Sequence, residues 1–278
     1  MNHYYKVLEI LQNADAILIG AGSGLSTSAG IHYDTTHFQE QFPELFRQYG
    51  MTDMYTSSFY NFATEEEKWS YWSKHIAYVY HIDAKPTYQN LYALVKSKPH
   101  FVITTNVDGQ FQKAGFEDSC LFEVQGNLSQ MQCSIGCHDK IYDTLELVSK
   151  MLVYRQDIKI PSALVPYCPI CQNPMEVHLR KDNTFVEDAS WKQHNNAYKE
   201  FIANYQNKHL LLLEFGAGFN TPGIIRYPFE SITLAIKNSF LIRVNQDFPF
   251  LPEELQDKSF AFEEDCSYFI NSLYKLVL

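Results

Sequence analysis

The chain has 278 residues, of which 46% are hydrophobic and 19% are charged, and its formal net charge is −10. This composition is typical of a globular protein with a sizeable core. The negative charge argues against nucleic acid or an acidic membrane as a partner, since both require a basic surface. No apolar stretch reaches the ~18–20 residues of a membrane span, and the N-terminus lacks the regions of a signal peptide. Six cysteines in a chain of this length do not form a secreted disulfide scaffold, so we expect a cytoplasmic protein.

The first glycine-rich loop follows a predicted helix over 3–13 and a short buried strand over 16–19. Its glycines allow the backbone to approach a diphosphate, and the amides at the start of the next helix face that charge. The dehydrogenase pattern G-x-G-x-x-G is not met, because Leu25 stands where its third glycine belongs. The loop is therefore interpreted as a phosphate cradle, with a plain tight turn as the alternative.

A helical insertion over 35–83 interrupts the alternation of strands and helices. An apolar stripe along it consists of Trp69, Trp72, Ile76 and Tyr80, after a capping-box pattern at Thr64 and Glu67. We interpret this stripe as core packing rather than as a cofactor site.

The run over 101–104 is continuously apolar, as expected for a strand buried on both faces of a parallel sheet. It changes abruptly to a polar segment that contains Asn106 and Asp108. Ligands of open α/β sheets bind beyond the carboxyl ends of such strands, so these two side chains are candidates for a site. The alternative is a strand that ends in an Asx-type turn.

Four of the cysteines form two close pairs, Cys133 with Cys137 and Cys168 with Cys171. Two such pairs can complete a tetrahedral structural Zn²⁺ site. The thirty residues between the pairs exceed the usual spacing, so an insertion must be looped out. His138 could replace one thiolate, and a redox dithiol is the rival hypothesis. The other two cysteines, Cys120 and Cys266, are expected in the core.

Two later strands are predicted over 210–215 and 240–244, and each ends in a loop with glycine or amide side chains. The strand over 210–215 runs into Gly216-Ala217-Gly218, a second glycine loop that could contact a nucleotide. The strand over 240–244 ends at Asn245. An amphipathic helix over 267–278 closes the chain.

This order of motifs resembles the sirtuin family of NAD-dependent enzymes over nearly the whole chain. The matching segments are Gly20-Ala21-Gly22 with Ser26 to Ile31, which has an apparent insertion at Ser23-Gly24; Thr104 to Gly109, similar to the family's Thr-Gln-Asn-Ile-Asp-Gly; the cysteine quartet; Gly216 to Gly218; and Val244-Asn245.

The resemblance implies an α/β fold with a Rossmann-type, doubly wound parallel sheet built from residues 1–128 and 186–278. It also implies a small zinc-binding module over 129–185, held together by structural Zn²⁺. NAD is then expected across the carboxyl ends of the strands, with Tyr33 over the nicotinamide. The expected contacts are Gly20, Ala21, Gly22, Leu25, Ser26, Thr105, Asn106, Asp108, Gly216, Ala217, Gly218 and Asn245.

Two departures from the family pattern bear on function. The family's Pro-Asp-Phe-Arg loop is replaced by His32 to Thr35, and Gln125 stands where the family has its catalytic histidine. The glutamine, together with the segment 221–228, resembles the class M, macrodomain-linked sirtuins. That resemblance implies protein ADP-ribosylation, with a lipoyl-carrier protein of the glycine-cleavage H type as acceptor and a macrodomain hydrolase as counterpart.

The chemistry of glutamine argues independently against deacylation. Deacylation by this fold needs a group that takes a proton from a ribose hydroxyl, and histidine is suited to that task. A glutamine amide is not basic and acts only through hydrogen bonds. The predicted catalytic residues are therefore Asn106, which orients ribose or nucleophile, Asp108, which holds the carboxamide or the loop, and Gln125. Deacylation and an idle NAD or ADP-ribose sensor are the alternative functions.

Overall fold

The computed structural model describes residues 2–32 and 35–278. Its nine strands form two sheets. The strands are β1 (Ala16–Ala21), β2 (His100–Thr104), β3 (Leu121–Glu123), β4 (Gly126–Cys133), β5 (Tyr142–Asp143), β6 (Met175–Leu179), β7 (Leu210–Phe215), β8 (Ser239–Val244) and β9 (Ser259–Phe262).

Twelve α-helices are described. They are α1 (Asn2–Asn13), α2 (Ser23–Ser28), α3 (Thr35–Gln41), α4 (Pro43–Tyr49), α5 (Met54–Ser57), α6 (Glu65–Tyr80), α7 (Pro86–Val95), α8 (Gln110–Lys113), α9 (Leu145–Tyr154), α10 (Ala189–Tyr205), α11 (Arg226–Ala235) and α12 (Cys266–Lys275). Short 3₁₀ turns cover Asp118–Cys120, Ser162–Leu164 and Glu253–Lys258. Within the described residues, no helix is long and apolar enough to cross a membrane.

The larger sheet has the order β3-β2-β1-β7-β8-β9, and all its neighbouring strands pair in parallel. The chain order reverses between β1 and β7, which makes that junction the topological switch point of a doubly wound sheet. Helices cover both faces: α1, α7 and α12 share one core cluster, while α10 and α11 share the other. The predicted Rossmann-type fold is thus confirmed.

The smaller sheet, β5-β4-β6, is antiparallel and shares a third core cluster with α6 and α9. Trp69, Trp72 and Ile76 are buried in this cluster, which confirms that the aromatic stripe is core packing. The helical insertion and the cysteine-bearing segment therefore share one hydrophobic core. The predicted domain limits, 1–128 with 186–278 and 129–185, stay a prediction.

Several element boundaries differ from the sequence-based prediction. Helix α10 begins at Ala189, within a polar stretch, because the Asp188 carboxylate accepts a hydrogen bond from the Trp191 amide and caps it. Strand β9 and all three strands of the smaller sheet were not predicted. The apparent insertion Ser23-Gly24 is the first turn of α2. The Thr64 cap is confirmed, since its hydroxyl accepts from the Glu67 amide.

Candidate functional site

The predicted contacts for NAD lie mostly at one edge of the larger sheet. The carboxyl ends of β1, β2, β7 and β8 meet there, because parallel strands end on the same side. The two glycine loops leave β1 and β7, which are neighbours at the switch point. A ligand spanning that junction would touch both loops.

The two glycine loops touch each other through their backbones. The Gly24 amide donates to Gly216 O at 3.1 Å, and the Gly22 amide donates to Phe215 O at 2.9 Å. A Cβ on Gly22 would lie 2.6 Å from Gly216 O, and a Cβ on Gly216 would overlap the Leu25 amide. Gly216 also has φ of +59°, a conformation that favours glycine. These glycines therefore allow the close approach of the loops to each other.

Other members of the predicted contact set face different surroundings. A Cβ on Gly20 would lie 2.5 Å from Ile225, so this glycine packs against α11. The Leu25 side chain is buried in the core cluster of α1 and α12. Both residues leave only backbone atoms for a ligand at the loop. Gly218, by contrast, has open space where a Cβ would be.

A buried hydrogen-bond network joins the ends of β1 and β2. The Asn106 side-chain amide donates to Gly22 O at 3.0 Å and to the Tyr88 hydroxyl at 3.4 Å. The Ser26 hydroxyl donates to Asp108 Oδ2 at 2.6 Å and contacts the Tyr88 hydroxyl at 3.0 Å. This network ties the predicted catalytic strand end to the first glycine loop.

The two predicted catalytic side chains of this network are buried. Asn106 is 7% exposed and Asp108 is 2% exposed. Burial raises the pKa of Asp108, while the hydrogen bond from Ser26 acts in the opposite direction. No hydrogen bond in the described part of the chain uses the Asn106 amide oxygen, so Asn106 can still accept one bond from a ligand. Thr105 is fixed beside it, because its amide donates to Ala21 O at 3.1 Å.

Asn245 ties the second glycine loop to the loop after β8. Its side-chain amide donates to Ala217 O at 2.9 Å, and its oxygen accepts from the amides of Asp247 and Phe248. The polar side-chain atoms of Asn245 thus bind the backbone of these two loops. Its side chain therefore shapes the loop, and its contact with NAD stays a prediction.

Behind these two loops lies a buried ion cluster that the sequence interpretation missed. Arg243 and Glu214 form two hydrogen bonds of 2.7 and 2.8 Å, and Arg243 also pairs with Glu230 at 2.8 Å. Arg226 donates to Phe248 O and lies 4.5 Å from the centre of the Phe219 ring. A charged residue within each apolar strand, Glu214 in β7 and Arg243 in β8, was the signal that could have revealed it.

Gln125 lies in the tight turn between β3 and β4. Its carbonyl accepts from the Arg180 amide at 2.9 Å, and Val124 O accepts from the Trp191 indole at 3.1 Å. The next residue, Gly126, has φ of +93°, and a Cβ there would overlap His178 O. The backbone around Gln125 is therefore held by β6 and α10, while its side chain is half-buried. Tyr33 lies outside the described residues.

The four predicted metal ligands converge. The sulfurs of Cys133, Cys137, Cys168 and Cys171 all lie within 4.8 Å of one another, and all six cysteines are free. Two sulfur pairs, Cys133 with Cys171 and Cys137 with Cys168, are 3.5 and 3.6 Å apart. Zn–S bonds of ~2.3 Å in a tetrahedron put sulfurs about 3.8 Å apart. The four thiols therefore fit a zinc ion.

His138 is the alternative ligand near this cluster. Its Nδ1 lies 3.1 Å from Cys137 Sγ, and its Nε2 contacts the Tyr142 hydroxyl at 3.0 Å. The four sulfurs are sufficient for a closed site, so His138 is better placed as a neighbour of the thiolates. An ion held by four thiolates has no open coordination position, so it would serve the fold.

Comparisons with known proteins agree with this geometry. A profile of the Sir2 family matches residues 22–205. A protein ADP-ribosyltransferase of Staphylococcus aureus (strain Mu50 / ATCC 700699) is 34% identical over 279 residues, covering 98% of this chain and 88% of that protein. A probable bifunctional ADP-ribose hydrolase/ADP-ribosyltransferase of Fusarium oxysporum f. sp. cubense is 31% identical over 241 residues. The matched region covers 81% of this chain and 39% of that protein.

Solved structures share the fold at low sequence identity. A Sir2 homologue crystallised with NAD is 14% identical and superposes with a TM-score of 0.62, covering 98% of this chain and 93% of that one. A Sir2 complex with a p53 peptide and NAD⁺ is 19% identical with a TM-score of 0.58, covering 98% of this chain and 97% of that one.

The family profile and these relatives, together with the doubly wound sheet and its paired glycine loops, identify a sirtuin-type NAD-dependent enzyme. The chain belongs to the Sir2 family.

Proposed function

We propose that this protein is an ADP-ribosyltransferase that moves ADP-ribose from NAD to a protein acceptor and releases nicotinamide. The observation that carries the proposal is Gln125, which occupies the position of the family's histidine on a turn with a fixed backbone. A relative that is 34% identical over 98% of this chain bears the name of that activity.

The site lacks the base that deacylation needs at this position. A glutamine amide neither takes up nor releases a proton near neutral pH, so it cannot take a ribose hydroxyl proton. The residues at the strand ends still offer what the first half of sirtuin chemistry requires. Asn106 presents an amide oxygen, and the glycine loops bring backbone close to a ligand.

The proposed transfer needs no basic side chain at position 125. The bond between the nicotinamide nitrogen and ribose C1′ breaks, and its electron pair leaves with nicotinamide, which becomes neutral. The acceptor nucleophile forms a bond to C1′ and releases its proton to solvent. Within this reaction, Asn106 orients the ribose, Asp108 holds the carboxamide or the adjacent loop, and Gln125 supplies hydrogen bonds.

We further propose the acceptor and partners implied by the resemblance to class M sirtuins. The acceptor is a lipoyl-carrier protein of the glycine-cleavage H type, a macrodomain hydrolase removes the modification, and the reaction takes place in the cytoplasm. The name of the Fusarium relative, which pairs an ADP-ribose hydrolase with a transferase, supports this coupling. We also propose that Cys133, Cys137, Cys168 and Cys171 hold structural Zn²⁺.

Gln125→Ala is expected to lower transfer by roughly ten- to a hundredfold. The reason is that one or two hydrogen bonds, about 1–3 kcal/mol in total, are lost from the transition state. Gln125→His restores a base but not the loop over 32–35, so acetyl-lysine turnover is expected to remain low. Nicotinamide release and acceptor mass, measured for wild type and both variants, check these results.

The same assay tests the proposed function. Nicotinamide release that depends on the lipoyl-carrier acceptor supports the transferase. Efficient deacetylation of acetyl peptides by the wild type would contradict it and return the chain to the deacylating sirtuins. Binding of NAD without release of nicotinamide would indicate a sensor.

A further inference from the structure

Glu123, at the end of β3, is a half-buried carboxylate that has no cation partner among the described residues. It accepts two hydrogen bonds on one oxygen, from the Asn127 amide at 2.6 Å and from the Gln112 amide at 3.0 Å. Both donors are neutral, and in the described part of the chain no lysine, arginine or histidine forms an ion pair with it. A partly buried charge with no counter-ion costs stability, and such groups are concentrated at functional sites.

The bond between Glu123 and Asn127 closes the base of the turn that carries Gln125. Asn127 is itself fixed on its other side, because its oxygen accepts from the Tyr80 hydroxyl and from the Ser129 amide. The turn is thus clamped at its base by Glu123, in addition to the bonds to Arg180 and Trp191. Movement of Glu123 would change the direction in which Gln125 points.

The charge of Glu123 adds to that of Asp108. Asp108 is buried and Glu123 is half-buried. Desolvation is the main cause that raises the pKa of Glu123 to about 7, and the negative charge of Asp108 raises this pKa further. Cleavage of the nicotinamide–ribose bond develops positive charge on the ribose. Fixed negative charge in a buried site favours such a centre more strongly than it would in water.

We propose that Glu123 is a positioning residue for ADP-ribosyl transfer, clamping the Gln125 turn and lending its unneutralised charge to the cation-like ribose centre. This inference rests on the function proposed above, and it assigns to Glu123 no contact with substrate. It predicts that the ionised form of Glu123 is the active form.

The surroundings of Glu123 contain several other groups that bear on its titration. A cavity of about 140 Å³ beside it is lined by residues of β6 and α10 as well as by Asp118. The titratable groups that interact with Glu123 or line this cavity are Tyr80, Asp108, Asp118, His178, Asp188 and His194. Lys113 interacts with Asp108. Burial lowers the pKa of His178, so this ring stays neutral near pH 7.

The test compares Glu123→Gln with wild type and with Glu117→Gln, which removes one exposed charge nearby. Glutamine can still accept both amide bonds through its oxygen, so this variant removes the charge and keeps the clamp. We expect kcat for nicotinamide release to fall by about tenfold or more, with little change in KM for NAD. The wild-type rate should rise as the pH passes about 7, and the Gln variant should lose this dependence.

Glu123→Gln should lower kcat but raise the stability of the folded protein. The folded pKa of Glu123 lies above the ordinary value of 4.5, so its stabilising contribution is complete below about pH 4.5 and is lost as the pH rises through about 7. Glu123→Gln should therefore raise Tm relative to wild type at about pH 8.5 and less so at lower pH. A purely structural glutamate would lower both activity and Tm when replaced.

The outcomes separate this inference from the proposed function. An active wild type with an equally active Glu123→Gln variant, or with an unchanged pH profile, would overturn the role of the Glu123 charge and leave the proposed function standing. A wild type that releases no nicotinamide with any acceptor would overturn the proposed function and this inference with it. A loss of kcat equal to that of Glu117→Gln would also count against Glu123.

Discussion

Replacing Cys168 with serine is expected to release the metal and to unfold the segment around it, with a large loss of stability. Structural zinc contributes on the order of 10–16 kcal/mol to the folding of small zinc peptides. Here the loss should spread beyond the cysteines, because Cys133 and Cys168 share a core cluster with Trp69 and Trp72 of the helical insertion. Zinc stoichiometry by metal analysis and Tm by circular dichroism check the result.

Cys120→Ser is the matched control for this variant. Cys120 is half-buried and lies outside the quartet, so its replacement should leave the zinc content at one ion per chain. Cys168→Ser protein that keeps one zinc and an unchanged Tm would contradict the zinc assignment. A disulfide between Cys168 and Cys171 in the purified protein would favour the redox dithiol instead.

Asn106→Ala is expected to lower the rate of ADP-ribosyl transfer by about a hundredfold. This loss should be at least as large as the loss caused by Gln125→Ala. Two kinds of interaction are lost: the amide bonds to Gly22 O and Tyr88, which hold the strand end, and the bond that the amide oxygen, unused by the described residues, could accept from a ligand. Each buried hydrogen bond contributes about 1–3 kcal/mol when its partner is left unpaired. Initial rates of nicotinamide release measure the effect on the reaction, and the NAD-induced shift in Tm measures the effect on NAD binding.

The control for this variant is Asn90→Ala. Asn90 on α7 donates to Asn271 on α12 at 2.8 Å, so it loses a comparable amide bond away from the strand ends. We expect a small loss of Tm with near-normal transfer. Equal activity of Asn106→Ala and Asn90→Ala would remove Asn106 from the reaction.

The fold could be anticipated because buried parallel strands leave a strong local signature. The apolar runs at β2, β7 and β8, each followed by a polar or glycine-bearing segment, predicted both the sheet and the edge where the site lies. The smaller sheet could not be found in this way. Strand β4 carries a mixed polar sequence and pairs with β6, which is more than forty residues later, so no local pattern marks it.

The candidate site shows a similar division. Asn106 and Asp108 were predicted from their position at a strand end, and they do face the first glycine loop. The glycines were attributed to a phosphate, whereas Gly22, Gly24 and Gly216 are also needed where the two loops touch. That contact joins residues almost two hundred positions apart, so only the folded structure reveals it.

Side chains behind the site were the hardest to predict. Glu123 and Asn127 flank the glutamine in sequence, but their other partners are distant from it. Tyr80 on α6 donates to Asn127, and Gln112 on α8 donates to Glu123. Arg226 lies on α11 and reaches carbonyls of the loop after β8. Such residues support the site through partners that are distant in sequence.

The most direct test of the proposed transferase is the intact mass of two acceptors after incubation with the wild-type protein and NAD. One acceptor is a lipoyl-carrier protein of the glycine-cleavage H type, and the other is an acetyl-lysine peptide. We predict that the carrier gains the mass of one ADP-ribose with release of one nicotinamide, while the peptide keeps its acetyl group. Loss of the acetyl group from the peptide, with no mass gain on the carrier, would contradict the proposed function.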